Sequence, residues 1–481
     1  MFPGTIIMSS SPRSADSGLE ASMIFKVGRN TTGRIIMISA RLHRVTAPVA
    51  TALIVFACVF AGLGNLALAE ESAEAATNIH HVSSEVCANC HQEIFKQWQG
   101  SMHANSTALT DPIHATFYKN VAGDPTQEGV TLKASGKFPI CLQCHAPNAA
   151  IDKTTKLDAK PAYQEGVNCV ACHTLAQFNG VDGPDGKLML GLKSYEISDQ
   201  LQGPSGMNNK LAELASSGDD LFGGAGVGGA DSQKPNPHFG EPVEYEGKQI
   251  PALPMAGNPK LMKSSDACMG CHDQRNNPHG VPLCQTGNEY EQSESQVNCI
   301  ACHMPIAEGL ADHSMGGGHS PAMLERAVIF DIDTESDGDN LKTTVYLKNQ
   351  LPHSMPTGAP FRNVYLKLTA YDESGTVVWE SAEGHPGKDD PQAYFSYSMT
   401  DDEGKPAMPP VATKPGEDTR LGPHEERTLV YEIPAETVAL VRGELYYNLL
   451  WPKLVEKFTH LPKDLTDPVL IAVAENPIGE D

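Results

Sequence analysis

The sequence predicts two domains of unlike construction, an α-rich, loop-rich domain over residues 70–324 and an all-β sandwich domain over 325–481. Three observations predict this. Cysteine is scarce, 12 in 481 residues, yet ten of the twelve fall into five C-x-x-C-H strings, all before residue 304. The stretch that carries them has short helical segments, such as SEVCANCHQEIFKQWQG, joined by long connections bearing glycine and proline. Beyond Glu325 the pattern turns to strict alternation of apolar and polar residues broken by turns.

The strings come first. They are CANCH (Cys87, Cys90, His91), CLQCH (Cys141, Cys144, His145), CVACH (Cys169, Cys172, His173), CMGCH (Cys268, Cys271, His272) and CIACH (Cys299, Cys302, His303). Two thiols at this spacing each form a thioether with a vinyl group on one porphyrin edge, and the histidine that follows binds iron as proximal ligand. A zinc site wants a second ligand pair nearby, and a thioredoxin-like redox pair wants a βαβ setting and occurs once. Five strings, each with histidine directly after the second cysteine, fit neither. The sequence therefore predicts five covalently bound haem c groups, and the first domain reads as a pentahaem cytochrome c domain whose interior is filled largely by macrocycles.

The strings are also paired. The second and third start 28 residues apart and the fourth and fifth 31 apart, and each pair closes with VNC-x-ACH, at 167–173 and 297–303. Duplication of a haem-pair module accounts for this better than a solenoid, because a long insert separates the copies. A short tether keeps macrocycles near one another, as electron hopping requires.

Ahead of the first string, residues 47–69 form an apolar run preceded by Arg41 and Arg44 and ending in Ala67-Leu68-Ala69, a small-x-small export site. Residues 1–69 are read as an N-terminal extension and signal peptide, with the true start at Met37 as an alternative. The mature chain then begins near Glu70, and Cys58 leaves with the signal. An uncleaved membrane anchor is the competing reading, since the run is long enough to span a bilayer; membrane contact is expected only in that case. Either way the location is periplasmic or the outer cell surface.

Charge narrows the partners. The whole chain carries −24, and residues 70–481 hold 29 basic against 57 acidic side chains. Such a balance excludes nucleic acid and anionic membrane surfaces and suits a partner with a basic patch, or simply solubility.

The β domain is read from RAVIFDIDTES, LKTTVYLKNQ, NVYLKLTAYDESGTVVWES, RTLVYEIP and GELYYNLLW, with DESG as a hairpin turn. Three other features are set aside. GAGVGG (224–229) satisfies G-x-G-x-x-G, but no strand leads into it and Pro235 and Pro237 follow, so it reads as a loop. DIDTESDGD (331–339) misses the glycine position of a calcium loop. Cys284, the unpaired mature cysteine, reads as a thiol near a haem or as half of an intermolecular disulfide.

The run CANCHQEIFKQWQGSMH, the VNC-x-ACH endings, the stretch CQTGNEYEQSESQVNCIACHMP and the phrase LPHSMPTGAPFRN together resemble the multihaem c-type cytochromes related to the tetrahaem electron acceptor of hydroxylamine oxidoreductase. The resemblance covers most of residues 80–370, and it implies an exported electron carrier with bis-histidine haems. Five haems and a C-terminal β domain depart from the tetrahaem prototype. On the same resemblance His103 (in WQGSMH), His238 (in PNPHFG), His313 and His319 (in DHSMGGGH) and His353 (in LPHSMPTG) are the candidate distal ligands. His80, His81, His114, His279 and His385 stand in reserve, and His424 and His460 read as surface residues of the β domain.

Two functions fit. The first is an electron conduit between donor and acceptor redox proteins, without a catalytic residue; a homo-oligomer or filament, in which a histidine of one subunit binds the haem of the next, is a variant of it. The second is a reductase or oxidase of a small nitrogen or sulfur compound or peroxide at one haem with an open axial position. No C-x-x-C-K string is present.

Overall fold

The computed structural model describes residues 78–205 and 236–479, which lie in one compact unit. The signal segment expected within 1–69, with Cys58, and the GAGVGG segment fall outside the described residues. Among the described residues no helix is long and apolar enough to cross a membrane.

Among the described residues up to 325 the chain is a series of short helices and two-stranded pieces. The helices that matter for the strings are α1 (Ser84–Ala88), α2 (Gln92–Gln99), α3 (Pro112–Val121), α4 (Leu142–His145), α5 (Cys169–His173), α6 (Asp266–His272), α7 (Thr286–Gln292) and α8 (Cys299–His303). Helices this short are not stable by propensity and survive on caps and packing. Ser83 caps α1, accepting from the Glu85 N–H at 3.1 Å, and Asp111 caps α3 just ahead of Pro112, the proline position helices favour. The repeated VNC phrase has the same cause: Asn168 accepts from the Ala171 N–H and Asn298 from the Ala301 N–H, each at 3.0 Å, so the asparagine starts the helix that carries the string. Apolar packing in this region is modest and divided, one cluster around Leu142, Leu157 and Tyr163 and another around Ile79, Val170 and Ile250.

The remainder is β-rich. Its strands are β1 (Val328–Asp337), β2 (Asn340–Asn349), β3 (Asn363–Tyr371), β4 (Val377–Glu380), β5 (Tyr394–Thr400), β6 (Lys414–Asp418), β7 (Glu426–Pro434), β8 (Leu440–Asn448) and β9 (Val469–Pro477). A three-stranded sheet has the order β1-β2-β7, and a six-stranded sheet has the order β6-β5-β3-β8-β9 with β4 also paired to β3. All pairings in both sheets are antiparallel.

Alternation explains the faces. Along β2, Leu341, Thr343, Val345 and Leu347 point inward, and along β7 Leu429, Tyr431 and Ile433 do the same. They share one apolar core with Leu366 and Leu368 of β3, Phe395 of β5 and Leu445 of β8, so the two sheets pack through their inward faces. Gly443 on β8 lets the sheets meet, since a side-chain carbon there would collide with Phe330 on β1 and crowd Leu368 on β3. DESG forms the tight turn between β3 and β4, where Asp372 Oδ1 accepts from the N–H groups of Ser374 and Thr376, both at 2.9 Å. The acidic run DIDTESDGD is the far half of β1 with its hairpin turn, where Asp337 pairs with Asn340.

Candidate haem sites

Each string lies on or against a helical turn, and the turn sets the chemistry. Cysteines at i and i+3 and the histidine at i+4 share one helix face, so both thiols and the imidazole are presented to one bound group. The short helices also gather strings remote in sequence. The Cys169 N–H donates to Ser84 at the start of α1 at 3.3 Å, Arg275 bridges the Cys144 sulfur and the Cys271 carbonyl, and the Cys299 N–H donates to Ser265 just ahead of α6 at 3.2 Å. The first string thus abuts the third, the second abuts the fourth and the fourth abuts the fifth. The pairing read from sequence spacing is kept for the fourth and fifth strings, whereas the second and third each meet a string from outside their pair.

The histidines show a second order. Two imidazoles on opposite faces of one iron, with metal–nitrogen bonds of about 2 Å, hold their ring centres roughly 6 Å apart. His91 and His238 are 6.0 Å apart centre to centre, His272 and His103 are 6.0 Å apart, and His303 and His353 are 6.4 Å apart. Around His173, burial pushes the ring's titration down, the Gln202 carbonyl raises it, and the neighbouring His313, His91 and His238 lower it further. His313 acts on both His173 and His91.

Backbone carbonyls fix which nitrogen is bare. The Nδ1 of His173 faces the Gln202 carbonyl at 2.8 Å, that of His303 the Gly316 carbonyl at 2.6 Å and that of His145 the Ser106 carbonyl at 3.0 Å. Among the candidate partners, His238 faces the Leu253 carbonyl at 2.9 Å, His313 that of Ala311 at 2.8 Å and His353 that of Ser354 at 3.1 Å. A carbonyl only accepts, so each Nδ1 carries the proton and Nε2 is left with its lone pair for a metal. Burial lowers the titration of His145, His173 and His353, and pushes His103 down to about 4 and His272 to about 3 with help from His103 and Arg275. Ring separation, bare Nε2 and neutral charge are what ligation of a haem iron requires.

The second string departs from the rule. His145 has His114 of α3 beside it, but the ring centres are only 4.1 Å apart and both Nδ1 atoms face the same Ser106 carbonyl. No iron fits between rings in that contact. The Nε2 of His114 is buried without a hydrogen-bond partner. His114 was only a reserve on sequence grounds, and no motif marks it.

His319, expected as a distal ligand, lies near Arg362 and Asp464. Burial and Arg362 hold its titration down to about 4, while Asp464 acts in the opposite direction. A side chain at Gly318, just before His319, would run into Tyr447 and Arg362 of the β-rich region. Of the other reserves, His81 is hydrogen-bonded to Asp152 at 2.6 Å and His385 packs on Tyr365 and Tyr394. His460 contacts Thr116 at 2.8 Å, and Cys284 reaches the His272 carbonyl at 3.7 Å.

Sequence reasoning also missed polar residues that hold the histidines. Gln97 on α2 accepts from the His313 N–H at 3.0 Å. Arg275 donates from Nη2 to the Cys144 sulfur at 3.2 Å and to the Cys271 carbonyl at 2.5 Å, so a cation joins the second and fourth strings. Glu289 on α7 touches the His353 loop. Such single polar residues carry no spacing signature.

Comparison with known proteins agrees with the string count. The family described as cytochrome c554 and c-prime matches residues 86–174. The crystal structure of a penta-haem cytochrome c552 from Thermochromatium tepidum is 62% identical to this chain, covering 83% of it and 100% of the other chain, with a TM-score of 0.78. A DUF1425 family member from Shewanella sp. pv-4 is 16% identical over 25% of this chain and 74% of its own, with a TM-score of 0.14, too low to bear on the fold. No protein of curated function matches. The fold and strings define a multihaem c-type cytochrome. The chain belongs to the penta-haem c-type cytochromes and binds five haem c groups covalently.

Proposed function

We propose that this cytochrome relays electrons between a donor and an acceptor protein, with four of its haems closed by two histidines each: His91 with His238, His173 with His313, His272 with His103, and His303 with His353. The observation that supports it is the set of ring separations of 6.0, 6.0 and 6.4 Å, with a carbonyl directing the proton to Nδ1 in His238, His303 and His353. An iron held between two neutral imidazoles changes oxidation state with little rearrangement, which suits transfer rather than substrate chemistry. The adjacency of strings gives a continuous route, from the first through the third to the fourth and from there to the second or fifth; Cys172 of the third lies within electrostatic reach of Cys268 and Cys271 of the fourth. Export to the periplasm or outer surface follows from the haem attachment and the 47–69 segment, and the acidic balance suits partners with basic docking patches. The division near residue 324 remains our boundary between a haem domain and a β sandwich. Because His353 reaches His303 within one chain, ligand donation at the fifth string needs no second subunit.

A second reading, reduction of a small nitrogen or sulfur compound at one open haem, is favoured by one observation, the 4.1 Å contact of His145 and His114 at the second string. Low-temperature electron paramagnetic resonance of the oxidised holoprotein tests both. Four low-spin signals and one high-spin signal support the assignment above and send the second string to substrate assays. Five low-spin signals leave only the relay, and three or fewer overturn the pairing.

A further inference from the structure

We propose that Glu289, clamped by Arg420, is the positioning residue that holds His353 against the fifth string, so that the β-rich region closes that haem only while this buried ion pair is intact. The inference rests on the reading of His353 as the partner of His303.

His353 sits in the connection between β2 and β3, a segment without a strand ladder of its own. A side chain on such a loop holds a metal bond only if the loop is pinned from outside. Two sets of contacts do so. Within the β-rich region, the Asn349 side-chain amide donates to the His353 carbonyl at 2.8 Å, and Met355 exchanges backbone hydrogen bonds with Leu421 at 2.8 and 3.0 Å. From the haem region comes Glu289, on the helix between the fourth and fifth strings. Its Oε2 accepts from the Ser354 N–H, the residue next to the ligand, at 3.1 Å and from the Thr357 hydroxyl at 2.6 Å.

The other oxygen of Glu289 is fixed as well. Arg420 donates from Nη1 to Oε1 at 2.7 Å and to the Pro356 carbonyl at 3.3 Å, and its Nε and Nη2 are held by Asp418, each at 2.8 Å. The pair is enclosed, with side-chain exposures of 8% for Glu289 and 11% for Arg420. Charge-assisted hydrogen bonds in such a setting are short and directional, and removing one partner strands a buried charge. One carboxylate therefore ties three things together: the helix between two haem strings, the ligand loop and the β-rich region.

A weld between regions that happened to lie near His353 would contribute stability and nothing else. The two roles separate in the spectrum. The holoprotein is compared with E289A, E289Q and H353A, each checked for five haems by intact mass and for folding by circular dichroism. We expect H353A to open one haem, seen as a high-spin signal and a carbon monoxide shift in about one-fifth of the Soret intensity beyond that of the unaltered protein. E289A is expected to open the same haem, and added imidazole to return it to low spin in both variants. E289Q keeps an oxygen for Ser354 and Thr357 but turns an amide toward Arg420, so a smaller fraction is expected to open; if E289A loses a haem during maturation, E289Q is judged instead by the same criteria. A protein of lowered thermal stability whose five haems match the unaltered ones, alongside an H353A that opens, would overturn the role of Glu289. An H353A with an unchanged spectrum would instead remove the ligand assignment on which the inference rests.

Discussion

In the β-rich region the inward positions of the strands are filled by Val345, Leu347, Leu366, Leu368, Phe395 and Ile433, side chains that need only one another. In the haem region the inward positions at the strings are cysteines and histidines, and the apolar clusters around them are small and separate. The first region holds one contiguous apolar core. The second has a scaffold of short helices that covalent haem is expected to fill, much as small metal sites supply folding energy to the chains that hold them. The same chain therefore has one part that specifies its structure by side-chain packing and one that specifies it by attachment chemistry.

The largest expected effect breaks that comparison outright. Produced without haem attachment, the chain is expected to lose the helical signal of residues 78–325 and keep the β signal of 328–477, read by far-ultraviolet circular dichroism and limited proteolysis; loss of both together would show that the β-rich region also depends on haem. Next in size, Leu366→Ala should cost about 2–5 kcal/mol in the unfolding of the β-rich region, as a fully buried leucine does, with the visible spectrum unchanged before unfolding. A sharper probe is Asn298→Ala, which removes the cap of α8; about 1 kcal/mol is expected, confined to the fifth string and seen as faster haem-proximal hydrogen exchange. The smallest effect belongs to His319→Ala. Its ring lies near Arg362 and Asp464, so all five haems should keep their absorption and spin state, whereas a new high-spin signal would make His319 a ligand.

How much could be read in advance follows the same division. Haem number and attachment were plain in the C-x-x-C-H strings, because the covalent chemistry demands that spacing locally. Strands such as LKTTVYLKNQ were plain because alternation is a local consequence of facing a core. The axial pairing was not, since His91 meets His238 and His303 meets His353 through the tertiary fold, and spacing says nothing about such partners. The resemblance proposed His103, His238, His313 and His353, and the structure sets each near a string histidine. It also proposed His319, which lies with Arg362 and Asp464, and it passed over His114, whose ring rests on His145. Glu289 and Arg275 were invisible for a simpler reason: one polar residue on a short helix or loop has no pattern.

The most direct test of the central claim is the visible spectrum of the fully reduced holoprotein before and after carbon monoxide. Four haems closed by paired histidines predict that at most about one-fifth of the Soret intensity shifts, and that any such shift comes from the second string. A shift of two-fifths or more would contradict the pairing and the relay built on it.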